Sequence, residues 1–141
     1  MENLDWKNLP FGYMKTDYNI RCFYRDGKWG ELEVSESEHI DIHIAATALH
    51  YGQEAFEGMK AYMGKDGKIR LFRWEENARR FAFSAGGIMM AEFPIEKFRE
   101  AIMKVVQLNR RFIPPYGSGA SLYIRPLLLS LIHISEPTRP Y

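Results

Sequence analysis

The chain has 141 residues, 46% hydrophobic and 14% aromatic, enough for one compact core and too few for a two-domain enzyme. With 19 basic against 18 acidic side chains the formal charge is +1, which leaves no electrostatic footprint for nucleic acid or an anionic membrane as partner. The single cysteine, Cys22, excludes an internal disulfide. Residues 1–5 have neither the basic region nor the apolar run of a signal peptide, so a cytoplasmic location is expected. The most apolar run, residues 127–134, is broken by Ser130 and His133 and falls well short of the roughly 20 residues that span a bilayer.

Residues 1–19 mix aromatics with Pro10 and Gly12 without a period and read as an irregular arm. Residues 20–25 and 29–34 flank Asp26-Gly27, a dipeptide that tolerates the positive φ angles of a tight turn, and so predict a β-hairpin. Residues 39–44 alternate strictly, predicting a strand with Ile40, Ile42 and Ile44 on one face and His39, Asp41 and His43 on the other. Those three polar side chains would spread over about 13 Å at the usual strand rise, too far for one ion, and no metal site is expected. A second hairpin is predicted from residues 59–63 and 68–73 around Gly64-Lys65-Asp66-Gly67. Two helices follow, one from Trp74 to about Ala85 stopped by Gly86-Gly87 and one from Ile95 to about Phe112. The second places Ile95, Phe98, Ile102, Val105, Val106 and Phe112 near one stripe, which marks a core-facing surface. A strand over residues 121–126 closes the series, and strands followed by inserted helices predict an α+β fold with a mostly antiparallel sheet.

Residues 48–62 are the densest in chemistry. They carry Tyr51, Phe56 and Tyr62, glycines at 52 and 58 that permit turning or close approach, and the acids Glu54 and Glu57. By themselves they fit a core as well as a pocket. Together with the blocks Lys68-Ile69-Arg70-Leu71-Phe72-Arg73, Glu76-Asn77-Ala78-Arg79-Arg80 and Gly119-Ala120-Ser121-Leu122-Tyr123-Ile124-Arg125-Pro126, in that order and spacing, they resemble the N-terminal small domain of a branched-chain amino acid aminotransferase. The resemblance runs from Phe11 to about Leu128. It implies a fold-type-IV enzyme that uses pyridoxal 5′-phosphate, works as a homodimer, and moves the amino group of leucine, isoleucine or valine to 2-oxoglutarate.

The resemblance further implies that Arg80 bonds the cofactor phosphate, a task that suits the planar fork of a guanidinium. It places Tyr51 and Phe56 on the wall for an aliphatic side chain. Tyr123 and Arg125 belong to the substrate pocket by the same matching, with the arginine serving the side-chain carboxylate of glutamate. Being two apart on a strand, those two share a face. The Schiff-base lysine of the family lies in a C-terminal domain that these residues do not match, and Lys60 matches a different position. No catalytic residue is therefore assigned, and the chain is expected to be a truncated, inactive fragment.

From Leu129 to Tyr141 the sequence departs from the family and resembles a translated transposase sequencing adapter, so a boundary is placed at residue 128 and the remainder is read as a non-native tail. Two alternatives stay open. One is another fold-type-IV enzyme, a D-amino acid aminotransferase or an aminodeoxychorismate lyase. The other is an α+β binding domain without catalysis, favoured if Arg80, Tyr51 and Arg125 pointed in unrelated directions.

Overall fold

The computed structural model describes residues 4–132. Their elements, in order, are strands β1 (Asn19–Arg21), β2 (Tyr24–Arg25), β3 (Lys28–Trp29) and β4 (Glu33–Ser35), helix α1 (Thr47–Tyr51), strands β5 (Glu54–Phe56), β6 (Met59–Met63) and β7 (Ile69–Leu71), helices α2 (Trp74–Gly87) and α3 (Ile95–Leu108), and strands β8 (Leu122–Ile124) and β9 (Leu127–Leu129). All strand pairs are antiparallel, and with two main helices the α+β expectation holds.

The first hairpin turns where Asp26-Gly27 predicts it, with φ of 52° and 79° at the two turn residues, and β1 pairs with β4 to extend the ladder beyond it. Trp29 anchors this hairpin: its ring packs edge-on to Phe93 at 4.8 Å and its Nε1–H donates to the Glu92 carbonyl at 2.8 Å. The irregular arm is fastened by Asn109, whose side-chain oxygen accepts from the backbone N–H of Asp17 and Tyr18, both at 3.0 Å.

Residues 39–44 do not form a strand. The alternation supplies side-chain pattern but, among the described residues, no neighbour to pair with, and the carbonyls of Ser37 and His39 accept instead from the Arg21 guanidinium. In α3 the stripe is narrower than its sequence pattern. Phe98, Ile102 and Val106 are buried, Val105 is partly buried against them, and Ile95 at the first turn is exposed.

Two ladders carry the rest of the argument. β5 pairs with β9, Phe56 opposite Leu127, and β6 pairs with β8, Met59 opposite Ile124. Both keep the same register, so Glu57 falls opposite Pro126 and Gly58 opposite Arg125. The ladder is interrupted there because proline has no N–H to give; one bond survives, from the Glu57 N–H to the Pro126 carbonyl at 3.0 Å. Period-two alternation continues across the break. Ala55, Glu57, Met59 and Ala61 are buried on the side of the core, while Phe56, Lys60 and Tyr62 are exposed on the opposite face. Helix α2 lays Ala78, Phe81 and Ala85 on that core, and Phe81 meets Phe98 of α3 at 5.7 Å between ring centroids.

The boundary expected at residue 128 falls inside a ladder, since Leu129 pairs with Glu54. Ser130 is buried; its N–H donates to the Gln53 carbonyl, and the carbonyls of Ser130 and Ile132 accept from Ala48 and Thr47. Apart from a 2.6 Å bond between the Thr47 and Ser130 hydroxyls these are main-chain bonds that any non-proline residue makes. Residues 133–141 of the expected tail lie outside the described residues.

Candidate functional site

The site is organised by the three residues Phe56-Glu57-Gly58 at the ladder break. Because successive side chains on extended backbone point to opposite faces, Phe56 lies on the outer face of the sheet while Glu57 turns in toward α2. Gly58 returns to the outer face with no side chain at all.

On the outer face Tyr123 and Arg125 stand together, as their spacing predicts. Arg125 donates from Nε and Nη2 to the Tyr123 hydroxyl at 3.1 and 2.8 Å, and its guanidinium lies 4.4 Å from the centre of the Phe56 ring. A cation over an aromatic face is attracted by the ring quadrupole, so Phe56 helps hold the arginine. Two donors on the phenol oxygen occupy its acceptor side and leave the O–H proton to be given elsewhere. The unit therefore offers a phenolic donor and the remaining guanidinium N–H groups to a carboxylate, beside an apolar ring. Gly58 makes this packing possible: a Cβ there would come within 2.5 Å of the Tyr123 hydroxyl. Lys60, directly opposite Tyr123 in the ladder, adds a second cation to the same face.

Arg80 reaches the other side of the same three residues. Asn77 and Arg80 are three apart on α2 and so share a helix face, and both engage Glu57. Arg80 donates from Nε to Glu57 Oε1 at 2.7 Å and from Nη2 to Oε2 at 2.6 Å. Asn77 donates to Oε2 at 2.9 Å and to the Gly58 carbonyl at 3.3 Å. The Glu57 side chain is 2% exposed and that of Arg80 68%, so a fixed carboxylate underlies a solvent-facing guanidinium. The hydrogen-bonded Arg80 holds the Glu57 carboxyl below its ordinary range against the opposing effect of burial, with Asn77 assisting; the same pair raises Arg80.

Phe56, Tyr123, Arg125 and Arg80 are thus connected through one short segment, the first three on one face and Arg80 through Glu57. Tyr51 stands apart. It ends α1 and lines a shallow concavity with Gly52, Gln53, Gly87, Ile88 and Met89, without a hydrogen bond or ring contact to the other four. Sequence reasoning noted Glu57 and the possible close approach at Gly58 but gave neither a site role, and gave Asn77 none. The available signal was the alternation through residues 55–61, which sends an acidic side chain inward where only a partner could keep it charged. Among the described residues no cluster of metal-ligating side chains occurs, and no helix is long and apolar enough to cross a membrane.

No family model matches the chain. The likeness is to whole proteins. The fold matches a solved Escherichia coli branched-chain amino acid aminotransferase with a TM-score of 0.60 at 30% identity, covering 82% of this chain and 34% of that one. A second match, with a TM-score of 0.57 at 31% identity, is a T.th. branched-chain amino acid aminotransferase complexed with N-(5′-phosphopyridoxyl)-L-glutamate, covering 83% of this chain and 34% of that one. These define the class: the architecture is that of part of a fold-type-IV aminotransferase. In sequence, the chain is 47% identical over 131 residues to the branched-chain-amino-acid aminotransferase of Haemophilus influenzae and 41% identical to that of Helicobacter pylori, covering 93% of this chain and 38% of each relative. The chain is thus similar over nearly its whole length to branched-chain-amino-acid aminotransferases and spans little more than a third of the length of these relatives.

Proposed function

We propose that these residues supply one wall of the active site of a branched-chain amino acid aminotransferase that uses pyridoxal 5′-phosphate. The observation that carries the reading is the packed unit of Phe56, Tyr123 and Arg125, which presents an apolar ring and a carboxylate receptor side by side. Such a wall answers the demand of the reaction, which admits an aliphatic side chain in one half-reaction and the carboxylate of glutamate in the other. When an aliphatic chain enters, Arg125 stays on Tyr123 and in solvent; when glutamate enters, the guanidinium and the phenol both donate to it. Tyr51 extends the apolar wall from its separate position at the end of α1.

The donor set at Arg80 fits the phosphate of the cofactor. Glu57 takes two of the five guanidinium N–H groups, and among the described residues no acceptor takes the other three. Bound there, the cofactor would supply the electron sink for amino-group transfer, while this chain binds and orients. We propose that the 141 residues alone do not catalyse transamination, that the intact protein is a homodimer, and that it works in the cytoplasm. The origin of the segment from Leu129 in sequencing-adapter DNA remains part of the proposal, and resequencing the source DNA with a different adapter chemistry decides it.

The functional test joins residues 1–128 to the Haemophilus influenzae relative in place of the matching part. Removing a buried or partner-bound polar group costs roughly 1–3 kcal/mol, or about 5- to 150-fold. Arg125→Ala should therefore slow the glutamate half-reaction within that range and the leucine half-reaction by much less. Equal losses in both would remove Arg125 from substrate selection, and turnover by the 141-residue chain alone would reject its role as a partial site.

A further inference from the structure

The buried glutamate beneath Arg80 has no part in the wall just described, yet it is held from two further sides. Its backbone N–H is bonded to the Pro126 carbonyl, its Oε2 accepts from Asn77 on α2, and its residue exposure is 3%. An acid fixed in this way determines where an otherwise mobile arginine points.

The geometry of the pair is specific. A guanidinium has a side edge, formed by Nε and one terminal nitrogen, and an end edge, formed by the two terminal nitrogens; each donates two parallel N–H groups to a planar or tetrahedral oxyanion. Glu57 occupies the side edge, with Nε on Oε1 and Nη2 on Oε2. The end edge, Nη1 with the second N–H of Nη2, faces away from the carboxylate in a side chain that is 68% exposed. We propose that Glu57 is a positioning residue that commits the side edge of Arg80 and thereby presents its end edge to the phosphate of a phosphate monoester. The proposal rests on the reading of Arg80 as the phosphate ligand.

Two effects of Glu57 oppose each other, and this makes the idea testable. Its charge neutralises Arg80, which weakens the attraction for an anion; its geometry fixes the fork, which removes the entropy cost of ordering a long side chain on binding. If positioning governs, losing the charge of Glu57 weakens phosphate binding. If neutralisation governs, losing it strengthens phosphate binding.

Inorganic phosphate is titrated into the 141-residue chain at low micromolar protein, against chloride at matched ionic strength. Affinity is read from the shift of the urea unfolding midpoint, because a ligand that binds only the folded state stabilises it according to its concentration over Kd. Only the saturable part of the shift counts as binding, because phosphate also stabilises any fold linearly by exclusion from its surface, and that part separates phosphate affinity from any change in the stability of the unliganded variant. The expected result is a phosphate-dependent shift in the wild type, at least fivefold weaker affinity in Glu57→Gln, and a comparable loss in Arg80→Lys. That lysine variant keeps the charge above Glu57, and hence the fold, but has no second edge. Unchanged or tighter phosphate binding in Glu57→Gln overturns positioning, as does full affinity in Arg80→Lys should the glutamine variant fail to fold. Absence of any phosphate effect in the wild type overturns the phosphate reading of Arg80 itself.

Discussion

Glu57 bears a charge where almost none of its surface meets water, and its cost is offset chiefly by Arg80 and Asn77, with the Gly58 backbone assisting. That dependence has a pH signature. In the unfolded chain the carboxyl titrates near its ordinary value of 4.5, and in the folded protein it titrates lower. A depressed folded pKa means that the unfolded state binds the proton first as the pH falls. The contribution of the ionised carboxylate is therefore complete above about pH 4.5 and is lost as the pH drops through the folded value. Asp17 and Asp66 are shifted in the same direction by Arg111 and Arg70 and give any variant an acid limb of its own. Glu57→Gln should remove one proton from that limb, flattening the slope of unfolding free energy against pH below 4.5 by up to about 1.4 kcal/mol per pH unit. Urea denaturation at a series of pH values measures it, and an unchanged slope would mean that the pair does not shift the carboxyl. Arg80, Tyr123 and Arg125 were legible as candidates because the family resemblance names them. The roles of their supports were not, since a glutamate between two strands and a glycine beneath a tyrosine acquire their particular partners only when residues about 20 and 65 positions away are folded against them.

At the level of elements, turn chemistry was the most legible part of the sequence. Asp26-Gly27 and Gly64-Lys65-Asp66-Gly67 set both hairpins, because positive φ is a local demand that few residues meet. Non-local pairing was hidden. β5 and β9 lie more than 70 residues apart, and the alternation of residues 39–44 found no strand to join. The end of α2 shows how a correct rule misplaces a boundary. Gly86-Gly87 reads as a stop, but the helix runs through both glycines, and the left-handed residue that terminates it is Met89, with φ of 60°. The N–H of Met90 returns to the Ala85 carbonyl and that of Met89 to the Gly86 carbonyl, the paired bonds of a Schellman cap with methionine where glycine is favoured. A left-handed conformation costs a β-carbon-bearing residue about 1–2 kcal/mol, and the Met89 side chain is 91% exposed, so little packing offsets it. Met89→Gly should raise the unfolding free energy by roughly 0.5–1 kcal/mol after the extra chain entropy of glycine is counted. A urea midpoint at or below that of the wild type would show that the methionine makes stabilising contacts across the Tyr51 concavity.

For the molecule as a whole, the layers are unequal. Helices α2 and α3 cover one side of the β5–β9 and β6–β8 ladders, and the other side presents Phe56, Tyr62, Tyr123 and Leu127, each at least 43% exposed. An antiparallel sheet with one free face ordinarily turns polar side chains to water. Here the free face is aromatic and aliphatic with cations among the rings, the composition of a surface that another layer covers. The isolated chain should therefore self-associate through this face. Light scattering across a size-exclusion peak is expected to give a weight-average mass that rises above 16.5 kDa as loading increases from about 10 to 100 μM, where apolar burial at roughly 25 cal/mol per Å² begins to offset the cost of association. Tyr62→Lys combined with Leu127→Lys places charges on the face without touching the core. It should return the chain to a concentration-independent monomer with an unchanged far-ultraviolet circular dichroism spectrum. A wild type that is monomeric at both loadings would show that the cations at 60 and 125 already keep this face solvated, and a charged double variant that still associates would move the contact to exposed aromatics elsewhere, such as Phe72 and Phe83.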